Sequence, residues 1–300
     1  MSKRLAELGE DRLVKRLMKG LPVGSNVITG PGDDCAIIGR PRDRKLKLLK
    51  TDCVVEDIHF TRGVDSRRVG WKALCRAISD IAAMGGEPEH AVITIALPRD
   101  LDLGWVDGLY AGMRKAARRF GVGIVGGETA RSPGPIFINV ALTGTVERRH
   151  CVQRSGGEPG DAIYVTGRLG ASAGGKHLDF IPRVNEAQWL TRHFRLHAMM
   201  DLSDGLGADL PRLAAASACG YRLEPASIPK NSGASVEQAI SDGEDYELLF
   251  AVAPSAGSRI ESAWCRNFPR LPLTRIGELV QPSKTRKSIT ARGFDHFAPA

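Results

Sequence analysis

The chain has 300 residues, of which 42% are hydrophobic and 25% charged, a composition typical of a water-soluble globular protein long enough for two domains. No apolar run approaches the roughly 18 residues needed to span a bilayer, and Glu7, Glu10 and Asp11 interrupt the start of the chain, so we expect neither a membrane partner nor a secretory signal. The net charge of +8 favours anionic partners such as nucleotides, phosphorylated metabolites or nucleic acid.

Hydrophobic periodicity divides the first half of the chain into helices and strands. Residues 5–19 are typical of an amphipathic helix and residues 47–54 of a strand. A second helix passes through Trp71 and Ala82, and glycines at positions 85 and 86 end it. The remaining elements expected in this half are strands at residues 91–97, 122–125 and 136–145 and a helix at residues 105–120.

A turn-rich stretch at residues 154–161 marks the expected boundary between an N-terminal domain, residues 1–150, and a C-terminal domain, residues 151–300. The elements expected in the second half are a strand at 162–166, a Gly-rich loop, a helix after Gly205, a strand at 247–252 and a strand-rich stretch ending at 294–297. The predicted fold class is α+β in two domains.

The basic stretch at residues 40–50 has two interpretations, a nucleic-acid patch or a strand with one solvated face. Alternation of Lys and Leu from Lys45 favours the strand, and no aromatic residues are interleaved as nucleic-acid binding requires, so we expect no nucleic-acid partner. The six cysteines form no CxxC pair, which argues against a disulfide framework or a zinc site and predicts a cytoplasmic protein.

Acidic residues stand at the ends of apolar runs, usually beside glycine. They include Asp34, Asp52, Asp80, Glu128, Asp201, Asp204 and Glu244. Burying several carboxylates together is costly without a cation, and hard oxygen ligands suit Mg²⁺ shared with phosphate groups. The pattern predicts Mg²⁺ ions that hold the phosphates of ATP for in-line phosphoryl transfer, with no covalent protein nucleophile.

Simpler interpretations exist for several of these residues. An Asp before Gly is often a turn or a helix cap, and Asp80 could pair with Arg76, one helical turn earlier. Residues 170–176 resemble a phosphate-binding P-loop, but His177 stands where the motif needs Ser or Thr, so we interpret them as a Gly-rich turn into a helix. His59 is equally compatible with a structural role.

Motifs spread nearly end to end resemble the thiamine-monophosphate kinase family, whose superfamily includes aminoimidazole ribonucleotide synthetase and selenophosphate synthetase. They lie at residues 32–36, 51–60, 70–74, 79–85, 126–129, 154–156, 201–205, 243–248 and 293–297. The resemblance implies an α+β, two-domain aminoimidazole ribonucleotide synthetase-like fold and a homodimer formed by the N-terminal domains. It also implies that ATP and thiamine monophosphate are the substrates and thiamine diphosphate a product.

The resemblance further implies a set of site residues. Those matching metal ligands are Asp34, Thr51, Asp52, Asp80, Glu128, Asp201 and Asp204. Those matching ATP contacts are Tyr110, Gly127, Glu128, Arg154 and Ser203. Those matching contacts with the thiamine phosphate are His59, Glu244 and Phe294.

Two features depart from the family pattern. Glu128 stands where the family usually has Asp, which keeps the charge and lengthens the reach, and the segment at residues 170–200 is short. The other readings of the chain are a sister ATP-dependent enzyme with another phosphorylated substrate and a non-catalytic nucleotide-binding homologue.

Overall fold

A computed structural model describes residues 5–284 and 293–297. The described part begins with two helices, α1 (Leu5–Leu8) and α2 (Glu10–Met18), where the sequence predicted one. Gly9, at φ 73°, breaks the helix because its left-handed backbone ends α1. The backbone N–H of Glu10 donates to Asp295 at 3.3 Å, so the start of α2 contacts the last described segment of the chain.

The first sheet has six strands in the order β1-β2-β3-β6-β4-β5. Its strands are β1 (Val27–Thr29), β2 (Ala36–Ile38), β3 (Lys45–Val55), β4 (Glu87–Leu97), β5 (Gly123–Arg131) and β6 (Phe137–Glu147). Only the pair β4–β5 is parallel among these described strands. The helices α3 (Ser66–Ala83) and α4 (Leu103–Phe120) accompany this sheet, and α3 packs against it.

Strand β3 confirms the interpretation of the basic stretch as a strand with one solvated face. Lys45 and Lys47 are exposed, whereas Leu46 and Leu48 are buried. The strand continues to Val55 because β6 pairs with it along its full length. Asp52, which was predicted at the end of this strand, therefore lies within it.

The second sheet has five strands in the order β8-β10-β7-β11-β9, all antiparallel. They are β7 (Ala162–Thr166), β8 (Ala198–Asp201), β9 (Gly220–Leu223), β10 (Leu248–Val252) and β11 (Leu273–Val280). The helices of this half are α5 (Lys176–Asp179), α6 (Val184–His193), α7 (Leu206–Ala216), α8 (Val236–Ser241) and α9 (Gly257–Asn267).

Helix α3 connects the two halves. It packs against α4, β3 and β6 and also against α6 and β8 of the second half. Gly70 permits the close approach of α4, because a Cβ there would lie 1.9 Å from the carbonyl oxygen of Leu109. One apolar core runs from Ile78 in α3 to Trp264 in α9, so the halves share buried residues. The domain boundary at residues 150 and 151 falls between β6 and β7 and stays a prediction.

The predicted α+β class is confirmed, with two local corrections. Residues 293–297 contain no strand and end in a turn, whereas a strand-rich stretch was expected up to residue 297. The strand expected at residues 122–125 instead runs to Arg131, because β5 pairs with β4 beyond the two glycines. Within the described ranges, no helix is both long and apolar enough to cross a membrane.

Candidate active site

Three aspartates from distant parts of the chain meet where the two halves join. Asp34 lies just before β2, Asp80 in α3 and Asp201 at the end of β8. Each offers a carboxylate oxygen, and the three oxygens lie within 4.8 Å of one another. The residues are 1%, 6% and 2% exposed, respectively. This three-acid cluster forms only when both halves of the chain fold together.

Two of these carboxylates are paired with cations. Nη2 of Arg154 donates to Oδ1 of Asp34 at 2.5 Å, and Nζ of Lys50 donates to Oδ1 of Asp80 at 2.9 Å. The alternative in which Asp80 pairs with Arg76 is wrong, because α3 packs on β3 and turns Asp80 towards Lys50. The acids and their cations come from different elements, so tertiary packing fixes the pairing.

Burial and repulsion between carboxylates raise the pKa of two members of the cluster, Asp80 and Asp201. Burial, followed by the charge of Asp34, raises the pKa of Asp201 to about 7, although the hydroxyl of Ser79 donates to it at 2.5 Å. Burial, aided by the charge of Asp201, raises the pKa of Asp80 well above its ordinary value despite the Lys50 ammonium. A cation bound here would relieve this repulsion.

One oxygen of the cluster lacks a hydrogen-bond partner. Oδ2 of Asp34 is buried, and no donor among the described residues reaches it. Buried carboxylate oxygens are nearly always satisfied, so this atom marks a position that a bound ion would complete. Three carboxylates at this spacing are the hard oxygen ligands that Mg²⁺ prefers. The residues present therefore fit a magnesium ion.

Asp52 lies beside the cluster but outside it. It shares a face of β3 with Lys50, two residues earlier. Its carboxylate accepts from Nη2 and Nε of Arg76 at 3.3 and 3.4 Å. Burial opposes its ionisation, but the charges of Arg76 and Lys50 outweigh burial and lower its pKa. An ionised carboxylate is thus held next to the three-acid cluster.

Lys72 joins two segments that carry predicted substrate residues. Its side chain is fully buried, Nζ donates to the carbonyl oxygen of His59 at 2.7 Å, and Nζ lies 2.6 Å from Oε1 of Glu244. Glu244 and Tyr246 have φ values of 64° and 51°, a region that residues other than glycine rarely adopt. Backbone strain of this kind is typical of functional loops.

Phe294 is linked to His59 by the ring of His296, which lies close to both. The ring of His296 lies 5.4 Å from the ring of His59 and 4.9 Å from the ring of Phe294. Phe294 is exposed and leaves an aromatic face open to a ligand. The structure therefore links His59, Glu244 and Phe294 through Lys72 and His296. These three residues are called the substrate pocket below, and their contacts with a substrate stay a prediction.

His59 is held in its neutral form. The backbone N–H of Val55 donates to Nδ1 at 3.1 Å, which requires that this nitrogen carry no proton. Burial, followed by the charges of Arg76 and Lys72, lowers the pKa of His59 to about 3. The imidazole is therefore an uncharged ring at neutral pH.

Known proteins resemble this chain in sequence and in fold. Residues 32–146 match the family model of the AIR synthase related protein, N-terminal domain. The thiamine-monophosphate kinase of Rhodopirellula baltica is 35% identical over 91% of this chain and 90% of its own length. That of Aquifex aeolicus is 33% identical over 98% of this chain and 100% of its own length. A solved structure described as AaThiL complexed with AMPPCP and TMP has a TM-score of 0.85 and 31% identity, with 99% of each chain covered.

The chain belongs to the thiamine-monophosphate kinase family. Its fold is the aminoimidazole ribonucleotide synthetase-like fold that the family resemblance implied, and the chain is an enzyme that transfers phosphoryl groups. Pairing of the N-terminal domains in a dimer and a cytoplasmic location stay predictions.

Two residues expected to contact ATP in this kinase family lie near the acids. Arg154 pairs with Asp34, and its backbone N–H also donates to Asp33 at 3.2 Å. The carbonyl oxygen of Ser203 accepts from the backbone N–H of Glu244 at 2.7 Å, which ties it to the substrate pocket. Their contacts with ATP stay predictions.

Asp204 stands beside a different buried acid. It pairs with Arg212, and its backbone N–H donates to Asp209 at 3.0 Å. Burial, followed by the charge of Asp204, raises the pKa of Asp209 to about 7, and Asp209 in turn raises the pKa of Asp201. Asp204 is thus electrostatically linked to the three-acid cluster without belonging to it, and its role as a metal ligand stays a prediction.

Thr51 and Glu128 occupy exposed positions of the first sheet. Thr51 donates to Oδ1 of Asn139 at 3.0 Å and points to the opposite face of β3 from Asp52, because successive strand residues alternate. Glu128 lies within β5, where its carboxylate accepts from the backbone N–H of Thr129 at 3.1 Å. Neither joins the three-acid cluster, and their roles as metal ligands stay predictions.

The other two predicted ATP contacts lie in β5 and α4. A Cβ at Gly127 would lie 1.9 Å from the carbonyl oxygen of Ile93, so the close pairing with β4 requires glycine there. Tyr110 is half-buried and packs against the apolar core. Both assignments to ATP stay predictions.

The P-loop-like segment forms a Gly-rich turn into the short helix α5, as interpreted. Nζ of Lys176 donates to the carbonyl oxygen of Arg168 at 2.6 Å and to Oδ1 of Asp245 at 3.1 Å. Protein atoms, rather than a phosphate, therefore bind the ammonium group of Lys176 in this structure.

Sequence reasoning missed Lys50, Lys72, Arg76 and His296 as members of the site. A signal for two of them was present. Lys72, Arg76 and Asp80 recur every four residues, which places three charges on one face of a mostly apolar helix.

Proposed function

We propose that this enzyme transfers the γ-phosphoryl group of ATP to thiamine monophosphate and produces thiamine diphosphate and ADP. The observation that carries the proposal is a buried three-acid cluster next to the substrate pocket, with Arg76 of α3 reaching from Asp52 towards Glu244. The thiamine-monophosphate kinases similar to this chain, and the similar structure complexed with AMPPCP and TMP, support the same two substrates here.

In the proposed reaction, a phosphate oxygen of thiamine monophosphate attacks the γ-phosphorus of ATP. A new O–P bond forms while the bond between the γ-phosphorus and the oxygen that bridges it to the β-phosphorus breaks, and ADP leaves with that electron pair. A phosphomonoester has a second pKa of about 6, so the attacking oxygen needs no general base at neutral pH. No protein side chain has to act as a nucleophile, which fits a site built from carboxylates and cations.

We propose that Asp34, Asp80 and Asp201 hold Mg²⁺, with Asp52 at the edge of the site. Bound magnesium would neutralise charge on the transferring phosphates. The ammonium group of Lys50 pairs with Asp80, so the protein itself also supplies a positive charge to the proposed metal site. Desolvation strengthens these interactions relative to water.

Lys72 positions the substrate pocket in this proposal. Because it is buried and bonded to both segments, it fixes the carbonyl of His59 relative to the carboxylate of Glu244. Burial, only partly offset by Glu244, lowers its pKa to about 8. The neutral ring of His59 and the exposed ring of Phe294 supply uncharged surfaces for an aromatic substrate.

We also propose that two copies pair through the first sheet. Large apolar side chains are exposed on this sheet: Leu49, Val92, Val125 and Phe137. An exposed apolar surface of this kind is typical of an interface. In sedimentation equilibrium we expect a dimer that Val125→Asp dissociates, whereas Val14→Asp, at an exposed position of α2, leaves it intact.

The deciding experiment is incubation of the pure protein with ATP, Mg²⁺ and thiamine monophosphate, followed by chromatography of thiamine compounds and nucleotides. We expect thiamine diphosphate and ADP in equal amounts, and neither when Mg²⁺ is removed with EDTA. Thiamine and unrelated phosphomonoesters serve as control acceptors. ADP without thiamine diphosphate, or a preference for another phosphomonoester, would show that the proposed substrate is wrong.

A further inference from the structure

Arg76 carries a donor that the protein does not use. Its side chain is 12% exposed, and Nη1 is buried without a hydrogen-bond partner. Nε and Nη2 reach Asp52 only at 3.4 and 3.3 Å, longer than good charge-assisted bonds. A guanidinium has five N–H donors, and buried donors without partners are rare in folded proteins. The unused donor points to a ligand.

The surroundings of Arg76 place that ligand at the centre of the site. Asp52 lies on one side, and Oε1 of Glu244 lies 3.8 Å from Nη1 on the other. Lys72 is one helical turn earlier and Asp80 one turn later on the same face of α3. Arg76 therefore stands between the substrate pocket and the three-acid cluster.

The neighbouring cations are already bonded to protein atoms. Lys72 contacts Glu244 and the carbonyl of His59, and Lys50 donates to Asp80. Among the described residues, the buried side-chain atoms without partners are Oδ2 of Asp34, Nη1 of Arg76 and Nε1 of Trp105. Two of these three atoms lie in the site. Oδ2 of Asp34 is an acceptor that suits a cation, and Nη1 of Arg76 is a cationic donor that suits an anion.

We propose that Arg76 binds the acceptor phosphate of the monophosphate substrate through Nη1. This inference rests on the proposed function and names a residue that the motifs did not include. The planar fork of arginine matches phosphate oxygens, and the contact with Asp52 orients its plane. Its charge also offsets the repulsion between the acceptor phosphate and the phosphates of ATP. Arg76 is thus a phosphate-binding residue of the reaction and distinguishes thiamine monophosphate from thiamine.

Calorimetric binding without ATP tests this role directly. We expect the wild type to bind thiamine monophosphate more tightly than thiamine. Arg76→Met weakens binding of thiamine monophosphate at least tenfold and leaves binding of thiamine unchanged. Arg76→Lys, which keeps the charge but loses the fork, weakens it about threefold. Arg68→Met is the matched control, because Arg68 lies on the same helix but pairs with Asp179.

Steady-state kinetics add a second readout. In Arg76→Lys we expect the KM for thiamine monophosphate to rise and the KM for ATP to stay within twofold of wild type. If Arg76→Met does not fold by circular dichroism, the Arg76→Lys measurements decide.

An unchanged preference for thiamine monophosphate over thiamine in the folded Arg76 variants overturns the inference while the proposed function stands. A wild-type protein that makes no thiamine diphosphate and binds neither compound overturns the proposed function, and the inference falls with it.

Discussion

Two regions of the molecule combine buried acids with cations, but they differ in whether the polar atoms are satisfied. In the first, which surrounds the P-loop-like segment at residues 170–176, Asp245 accepts from Lys176 and from the backbone N–H of Gly170. Glu247 nearby accepts two hydrogen bonds from Arg183. No carboxylate oxygen of Asp245 or Glu247 is among the unpartnered buried atoms of the described residues.

The second region, the three-acid cluster with Arg76, leaves one carboxylate oxygen and one guanidinium nitrogen without partners. Both regions contain a partly exposed lysine paired with a buried aspartate, Lys176–Asp245 and Lys50–Asp80. The difference teaches that charge and burial alone do not mark a ligand site. Unsatisfied buried atoms of charged groups are the better marker, because leaving a buried charge without a partner is costly unless a ligand removes that cost.

The largest effect on kcat is expected from a substitution that disrupts the three-acid cluster. Asp80→Asn lowers kcat about a thousandfold, equivalent to about 4 kcal/mol, because a charged ligand is lost from the magnesium site. The free energy of unfolding does not fall, since the raised pKa of Asp80 shows that its charge is unfavourable in the folded protein without metal. Turnover at saturating Mg²⁺ and urea unfolding measure the two effects. Asp161→Asn, a buried aspartate paired with His197, is the control. Near-native turnover of Asp80→Asn would refute the metal assignment.

Substitutions in the two lysine–aspartate pairs are expected to affect different properties, catalysis for Lys50 and stability for Lys176. Lys50→Ala lowers kcat about a hundredfold, because a preorganised cation leaves the site. Lys176→Ala keeps kcat and the KM for ATP within tenfold of wild type, but the free energy of unfolding falls by about 2 kcal/mol, because buried Asp245 loses its partner. The measurements are initial rates and urea unfolding of both variants. A nearly inactive but folded Lys176→Ala would show that residues 170–177 bind phosphate after all.

The pH dependence of the free energy of unfolding tests whether the folded protein holds His59 in its neutral form. Its pKa is lowered to about 3 in the folded protein from an ordinary 6.5, so the unfolded chain takes up the proton first. Its contribution to stability is present above pH 6.5 and is lost as the pH falls towards 3. Between pH 7.5 and 5.0 the wild type should lose about 2 kcal/mol more than His59→Asn, whose side chain does not titrate. Urea unfolding at both pH values measures this. Equal losses in the two proteins would show that His59 is not held neutral.

The smallest effect is expected at Glu128, which does not belong to the three-acid cluster. If Glu128 contributes to a metal site, Glu128→Gln should lower kcat by a factor of about three, equivalent to about 0.7 kcal/mol, and Glu128→Asp by less, because Asp keeps the charge. The effect is small because the carboxylate is exposed. Turnover over a magnesium titration compares the variants. Identical, near-wild-type curves would assign Glu128 to the surface.

The sequence determined most of the elements, because local periodicity and turn residues act over short distances. The helix expected at residues 105–120 is α4, Leu103–Phe120, and the strand expected at 162–166 is β7. Where these local signals failed, a distant partner was decisive. Glycines 126 and 127 suggest the end of a strand, but parallel pairing with β4 continues β5 to Arg131.

The motifs also identified the acids as candidate site residues, since their residue types suit magnesium and phosphate. Only the tertiary structure decided which of them meet. Asp34, Asp80 and Asp201 converge because α3 packs against both halves of the chain, whereas Thr51 and Glu128 remain exposed on the first sheet. The partners of the acids were equally beyond sequence reasoning, because an ion pair such as Lys50–Asp80 joins a strand and a helix whose contact depends on the packing of the whole core.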